Sequence, residues 1–215
     1  MRVKICGLRS RTEVAAAIAA GADYAGLVFF EASPRYVSLA DARWIAGARH
    51  EGVSLVGLVV DADDPQISAI LEAVPLDYLQ LHGSESPERV EEVRQTFGLP
   101  VIKALAVGSA ADVSALKEYS QVADMILVDA RPSEDTERPG GNGVSFDWRL
   151  LHGRRWRRPW FLAGGLAPEN VEEAIRATGA QQVDVSSGVE LVPGYKDPAR
   201  IGQFVRAAKG VAEAA

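Results

Sequence analysis

Eight short, mostly apolar runs recur along the chain, each four to six residues long: Val3–Cys6, Tyr24–Phe29, Leu55–Val60, Tyr78–Leu81, Val101–Ala106, Met125–Val128, Trp160–Ala163 and Gln182–Val185. Most stay apolar on consecutive positions instead of alternating. That pattern suits a parallel strand buried on both faces. Helical patterns separate the runs: Arg11–Ala20, Ser38–Ala48, Asp64–Val74, Ser86–Phe97, Ser109–Tyr119, Phe146–Leu151, Pro168–Thr178 and Asp197–Ala208. Several open on a capping residue followed by proline (Asp64-Pro65, Ser86-Pro87, Asp197-Pro198), and two close at a glycine, Gly21 and Gly179. Strict alternation of strand and helix implies right-handed crossovers and a parallel sheet. Eight units in 215 residues predict a closed (β/α)8 barrel, one domain spanning residues 1–215. The structural alternative is an open doubly wound sheet.

A chain with 47% hydrophobic and 24% charged residues has ordinary globular composition. Its net charge of −6 lacks the whole-chain basic field of a nucleic-acid binder. The apolar runs fall far short of the roughly 20 residues that span a bilayer, and the first residues do not read as a signal peptide. The single cysteine cannot form an internal disulfide, which fits a reducing compartment. The expectation is a cytoplasmic protein without nucleic-acid or membrane partners.

In a barrel, chemistry gathers where strands end and βα loops begin. Cys6 is the last residue of its run before Gly7, so it should point to the mouth. A thiolate there could serve as base or nucleophile, whereas a cysteine elsewhere on a buried strand packs as a small hydrophobe. Asp129 directly follows Met125-Ile126-Leu127-Val128; a carboxylate there is costly to bury unless paired or protonated. Cys6 and Asp129 across one pocket would make a base and an acid for proton transfer. Run seven ends in Gly164-Gly165 and run eight in Ser186-Ser187-Gly188. Together these loops expose backbone N–H groups and hydroxyls suited to a phosphate. Arg35, after Ser33-Pro34, offers a fork for a carboxylate. His82 ends run four and is a substrate-contact candidate, although a lone histidine is more often structural. The basic run Arg154-Arg155-Trp156-Arg157-Arg158 precedes run seven and should lie on the opposite face. No metal-ligand spacing is evident.

The chain resembles the phosphoribosylanthranilate isomerases. The matching pieces are KICG at Lys4–Gly7, SPRYV at Ser33–Val37, QLHG at Gln80–Gly83, LVD at Leu127–Asp129, GGNG at Gly140–Gly143, FDW at Phe146–Trp148, LAGGLAPENV at Leu162–Val171 and VDVSSGVE at Val183–Glu190. The resemblance implies an Amadori rearrangement of N-(5-phosphoribosyl)anthranilate in tryptophan biosynthesis, without a cofactor, by a monomer or homodimer. It implies Cys6 as general base, Asp129 as general acid, and Arg35 on the anthranilate carboxylate. It places the phosphate on the loops after runs seven and eight, with Gly141 and Gly143 nearby, and Asp184 near the ribose. The family's glycine loop often reads GGTGKTFDW; here it is GGNGVSFDW, with Asn142 and Val144 at the threonine and lysine positions. Two rival readings are a histidine-pathway relative, which would pair two aspartates, and a catalytically silent barrel that binds a phosphorylated ligand.

Overall fold

A computed structural model describes residues 1–48, 52–130, 148–151, 153–154 and 156–213. Eight parallel strands close into a barrel in sequence order: β1 (Arg2–Cys6), β2 (Tyr24–Val28), β3 (Ser54–Val59), β4 (Tyr78–Leu81), β5 (Val101–Val107), β6 (Met125–Ala130), β7 (Trp160–Leu162) and β8 (Gln182–Val185). The seam closes where β1 pairs with β8, Lys4 opposite Asp184 and Ile5 opposite Val185. The closed barrel excludes the open-sheet alternative.

The helices are α1 (Arg11–Ala20), α2 (Leu39–Ala46), α3 (Asp64–Ala73), α4 (Pro87–Phe97), α5 (Ala110–Val122), α6 (Val171–Thr178) and α7 (Pro198–Glu213). Their starts follow from capping: Ser10, Ser38, Asp63, Ser86 and Ser109 each accept a hydrogen bond from the backbone N–H three residues on, satisfying an otherwise orphaned donor. Three differences from the sequence reading have local causes. The Phe146–Leu151 pattern yields a 3-10 turn at Trp148–Leu151, and its first two residues lie outside the described ones. The Pro168–Thr178 pattern begins its helix only at Val171, because Asn170 closes Ala167–Asn170 as a turn: its Oδ1 accepts from Ala167 N at 2.8 Å. A hairpin of β9 (Glu190–Val192) and β10 (Tyr195–Lys196) follows β8; strands of three and two residues carry no period to read.

Alternation along the strands sends Tyr24, Val56, Ile102, Leu127 and Phe161 into the barrel, where Tyr24 meets Tyr78 and Phe161 edge-on at 5.7 and 5.2 Å. The opposite parity packs beneath the helices. At the N-terminal end, the aspartates before β2, β4 and β6 tie neighbouring strands. Asp23, Asp77 and Asp124 accept from the N–H of Val3, Leu55 and Val101 at 2.7–2.9 Å. Arg158 donates to Ser120 O near the end of α5, which sets that part of the basic run on this N-terminal face, as its position predicts.

Charge is buried as well. Lys103 is 1% exposed and donates to Glu85 Oε2 at 2.7 Å and to Gly83 O at 2.8 Å. Glu85 in turn accepts from the N–H groups of Asp61 and Gly83. The pair therefore moulds the loop that carries His82. Replacing Lys103 with methionine strands a buried carboxylate, and we expect a loss of about 3–5 kcal/mol. Urea unfolding should show a lower midpoint at unchanged slope; an unchanged midpoint contradicts this account.

Candidate active site

Cys6 ends β1 with the inward parity of Lys4, and Asp129 lies near the end of β6 with that of Leu127. In the closed order β6-β7-β8-β1, only β7 and β8 stand between them on the shorter path around the barrel. The two groups thus face the same mouth, on either side of the loops after β7 and β8. The chain turns sharply at Gly7, where φ is +79° and both Gly7 N and Leu8 N donate to Gly26 O. A Cβ at Gly7 would lie 2.6 Å from Arg35 Cδ, so glycine there serves both the turn and the arginine beside it.

Cys6 is 5% exposed. Burial pushes its thiol above the ordinary value, Lys4 pulls it down, Asp184 pushes it up, and Lys196 pulls it down more weakly. Burial prevails, so the resting group is a thiol at neutral pH. Lys4 is fully buried and bonds Asp184 Oδ1 at 2.9 Å. Burial disfavours its charge, yet Asp184 and Cys6 outweigh this and push it up to about 12; Lys4 stays an ammonium.

Arg35 is 6% exposed, and its fork points at Glu190, Nε to Oε1 at 2.7 Å and Nη2 to Oε2 at 2.9 Å. Lys196 donates to the same Glu190 Oε1 at 2.6 Å and also to Ser186 O and Oγ. Burial raises the Glu190 carboxyl, but Arg35 and Lys196 outweigh it and hold it below the usual range. For Lys196 burial dominates and lowers its value despite Glu190.

On the other side, His82 Nε2 lies 3.3 Å from Asp129 Oδ2, and Gln80 Nε2 lies 2.9 Å from His82 Nδ1. Gln80 holds the imidazole in place with its Nε2 turned towards the Asp129 carboxylate.

Gly164 and Gly165 both take positive φ, +85° and +65°. Among the described residues their N–H groups have no backbone partner. A Cβ at Gly188 would sit 1.9 Å from Leu166 O, so the loops after β7 and β8 touch. Ser187 opens a 3-10 turn there. Ser186 behaves otherwise than expected of a phosphate donor: its hydroxyl donates to Cys6 O at 3.0 Å, tying β8 to the end of β1. Gly141 and Gly143, with Asn142 and Val144, lie outside the described residues.

The structure therefore gathers Cys6, Arg35, Asp184 and Ser186 around one charged network and sets His82 with Asp129. It adds Lys4, Gln80, Glu190 and Lys196, which the sequence reading passed over. Lys4 had a signal: a lysine amid apolar residues, two before Cys6, shares its face and needs an anion. Lys196 had none, because only the β9–β10 hairpin brings it back. Among the described residues, no group of three or more His, Cys, Asp or Glu side chains is placed to hold a metal ion. No helix there is long and apolar enough to cross a membrane.

Comparison with known proteins points one way. The family described as N-(5'-phosphoribosyl)anthranilate (PRA) isomerase matches residues 3–207. The N-(5'-phosphoribosyl)anthranilate isomerase of Cereibacter sphaeroides is 59% identical over 209 residues, 97% of this chain and 99% of the relative. A phosphoribosyl anthranilate isomerase solved with reduced 1-(o-carboxyphenylamino)-1-deoxyribulose 5-phosphate superposes with a TM-score of 0.86 at 36% identity, covering 98% of this chain and 99% of that one. Monomers generated from the dimeric enzyme of Thermotoga maritima give 0.84 at 37%, with the same coverage.

The Arg35–Glu190–Lys196 cluster has a pH signature. A carboxylate with a depressed folded value contributes stability above its unfolded value, and the contribution is lost as pH falls through the folded one. Between about pH 5 and 3, wild type should lose stability more steeply than Glu190→Gln, as measured by urea midpoints. Parallel curves would contradict this.

Proposed function

The chain belongs to the N-(5'-phosphoribosyl)anthranilate isomerase family, isomerases of tryptophan biosynthesis, and from that premise we propose that Cys6 and Asp129 carry out the rearrangement by general acid–base catalysis. The substrate is N-(5-phosphoribosyl)anthranilate, and the product is 1-(2-carboxyphenylamino)-1-deoxyribulose 5-phosphate. The reaction is an aldose–ketose isomerisation, an intramolecular oxidoreduction within one single-barrel domain. It needs no cofactor, and the enzyme acts in the cytoplasm as a monomer or homodimer.

Asp129 gives its proton to the furanose ring oxygen. The ring opens as the anilino nitrogen forms an iminium at carbon 1. Cys6, having first lost its thiol proton to water, then takes the proton from carbon 2 as a thiolate; the electron pair of that C–H bond moves into the new double bond, and an enolamine forms. Protonation at carbon 1 and loss of the hydroxyl proton on oxygen 2 give the ketone and return both groups to their starting states. His82 Nε2, 3.3 Å from Asp129 Oδ2, leaves the other oxygen to carry the acid proton.

The observation that carries this reading is the placement of Cys6 and Asp129 across one mouth, flanking the β7 and β8 loops. Those loops would take the phosphate on the N–H groups of Gly164, Gly165, Ser187 and Gly188, with Gly141 and Gly143 nearby. With its hydroxyl on Cys6 O, Ser186 would contribute its backbone. Arg35, already oriented by Glu190, would receive the anthranilate carboxylate. Asp184 would reach the ribose from its place beside Lys4. The cysteine on β1 disfavours the histidine-pathway alternative. A silent binding barrel has no use for an acid and a base on opposite sides of its ligand.

The test follows anilino fluorescence with freshly generated substrate. Wild type should consume it and form the ketose, while Cys6→Ala and Asp129→Asn each lose about 100-fold or more in kcat/KM. The wild-type kcat/KM should be bell-shaped in pH, because the reactive form keeps one proton on the Cys6–Asp129 pair, with both groups protonated at low pH and neither at high pH. Binding without turnover, or a flat profile from about pH 5 to 9, contradicts the scheme.

A further inference from the structure

Lys4 is fully buried on the strand that carries Cys6, two residues before it, so both side chains share the inward face. Its ammonium hydrogen-bonds Asp184 Oδ1 at 2.9 Å, and the nearby Cys6 sulfur favours its charge. A Cβ at Gly26 would lie 3.1 Å from Cys6 Sγ and 3.3 Å from Lys4 Nζ. Sulfur and nitrogen therefore crowd the same point on β2, where glycine leaves them room. A lysine confined to a barrel interior is costly to desolvate. An apolar residue would fill the space, whereas an ammonium there offers hydrogens to two anions at once.

We propose that Lys4 is a positioning residue for the base: steered by Asp184, its ammonium takes the Cys6 thiolate as a second anion and holds Sγ towards the substrate carbon until the proton is transferred. This rests on the reading of Cys6 as the base. The thiolate needs such a partner because it forms in a buried site. The other charges near Cys6 are Asp184 on β8, Lys196 on β10, and behind Lys196 the carboxylate of Glu190 with Arg35. From β2, Gly26 and Val28 bring no charge to it. Lys196 reaches the region through Ser186, whose hydroxyl holds Cys6 O; of the two cations, Lys4 is the one bonded to Asp184 that shares the inward face of β1 with the thiol.

Cys6 is the chain's single cysteine, so its ionisation can be read without substrate, from the rate of iodoacetamide alkylation against pH, followed by intact mass. Lys4→Met should move the midpoint of that profile to higher pH by about one unit, a roughly tenfold slower reaction on the rising limb. Asp184→Asn should move it to lower pH, because it removes an anion and frees Lys4 for the thiol. The limb of kcat/KM set by the thiol should move with the alkylation profile in Lys4→Met. A merely structural lysine would lower the rate and leave the alkylation midpoint where it is. No shift in Lys4→Met, or shifts of the same sign in both variants, overturns the proposal. If Lys4→Met does not fold, Asp184→Asn decides: a fall supports it, and no change or a rise overturns it. Wild-type protein without turnover would instead sink the isomerase reading while leaving the alkylation shifts intact.

Discussion

The barrel closes through the pairing of β1 with β8, and the Lys4–Asp184 bond lies inside that seam. Everything at the mouth depends on it. One turn of alternation beyond Lys4 stands Cys6, and one beyond Asp184 stands Ser186, whose hydroxyl reaches back to Cys6 O. The seam thus fixes the candidate base from two sides, by a side-chain ion pair below and a hydroxyl above. Removing either charge would leave the other desolvated, which is why such pairs persist even where apolar residues would pack as well.

The same device recurs around the rim. Lys103 with Glu85 shapes the loop after β4, and Lys196 with Glu190 braces the hairpin and aims Arg35. Each of these buried lysines is matched by a carboxylate: Lys4 by Asp184 on β8, Lys103 by Glu85 in the loop after β4, and Lys196 by Glu190 on β9. The result is a C-terminal face whose loops are tied by directional bonds, over an interior of Tyr24, Leu127 and Phe161 that only fills space. Positioning of this kind matters for proton transfer, where small displacements of the acid or base change the rate steeply. The acid side is built differently: Gln80 holds the His82 ring, whose Nε2 faces Asp129.

Much of the fold was legible in the chain because burial on both faces writes itself as unbroken apolar runs, and because caps such as Ser86-Pro87 mark helix starts. Cys6 and Asp129 stood out because each ends an apolar run where chemistry is placed. Asp23, Asp77 and Asp124, each one residue before a strand, repeat the βα unit in a way the sequence states but pattern reading passed over. Glu190 sat inside a quoted motif, yet its partners Arg35 and Lys196 come from separate loops. Long-range charge pairing of that kind has no local signature. The same holds for Ser186, whose residue type suits a phosphate while its geometry commits the hydroxyl to β1.

The most direct measurement is a single turnover with substrate deuterated at carbon 2. The account predicts that wild type releases the label with a primary isotope effect on the chemical step, and that Cys6→Ala, with Asp129 intact, retains it. Loss of the label from Cys6→Ala at the wild-type rate would contradict the central claim that the thiolate on β1 is the base.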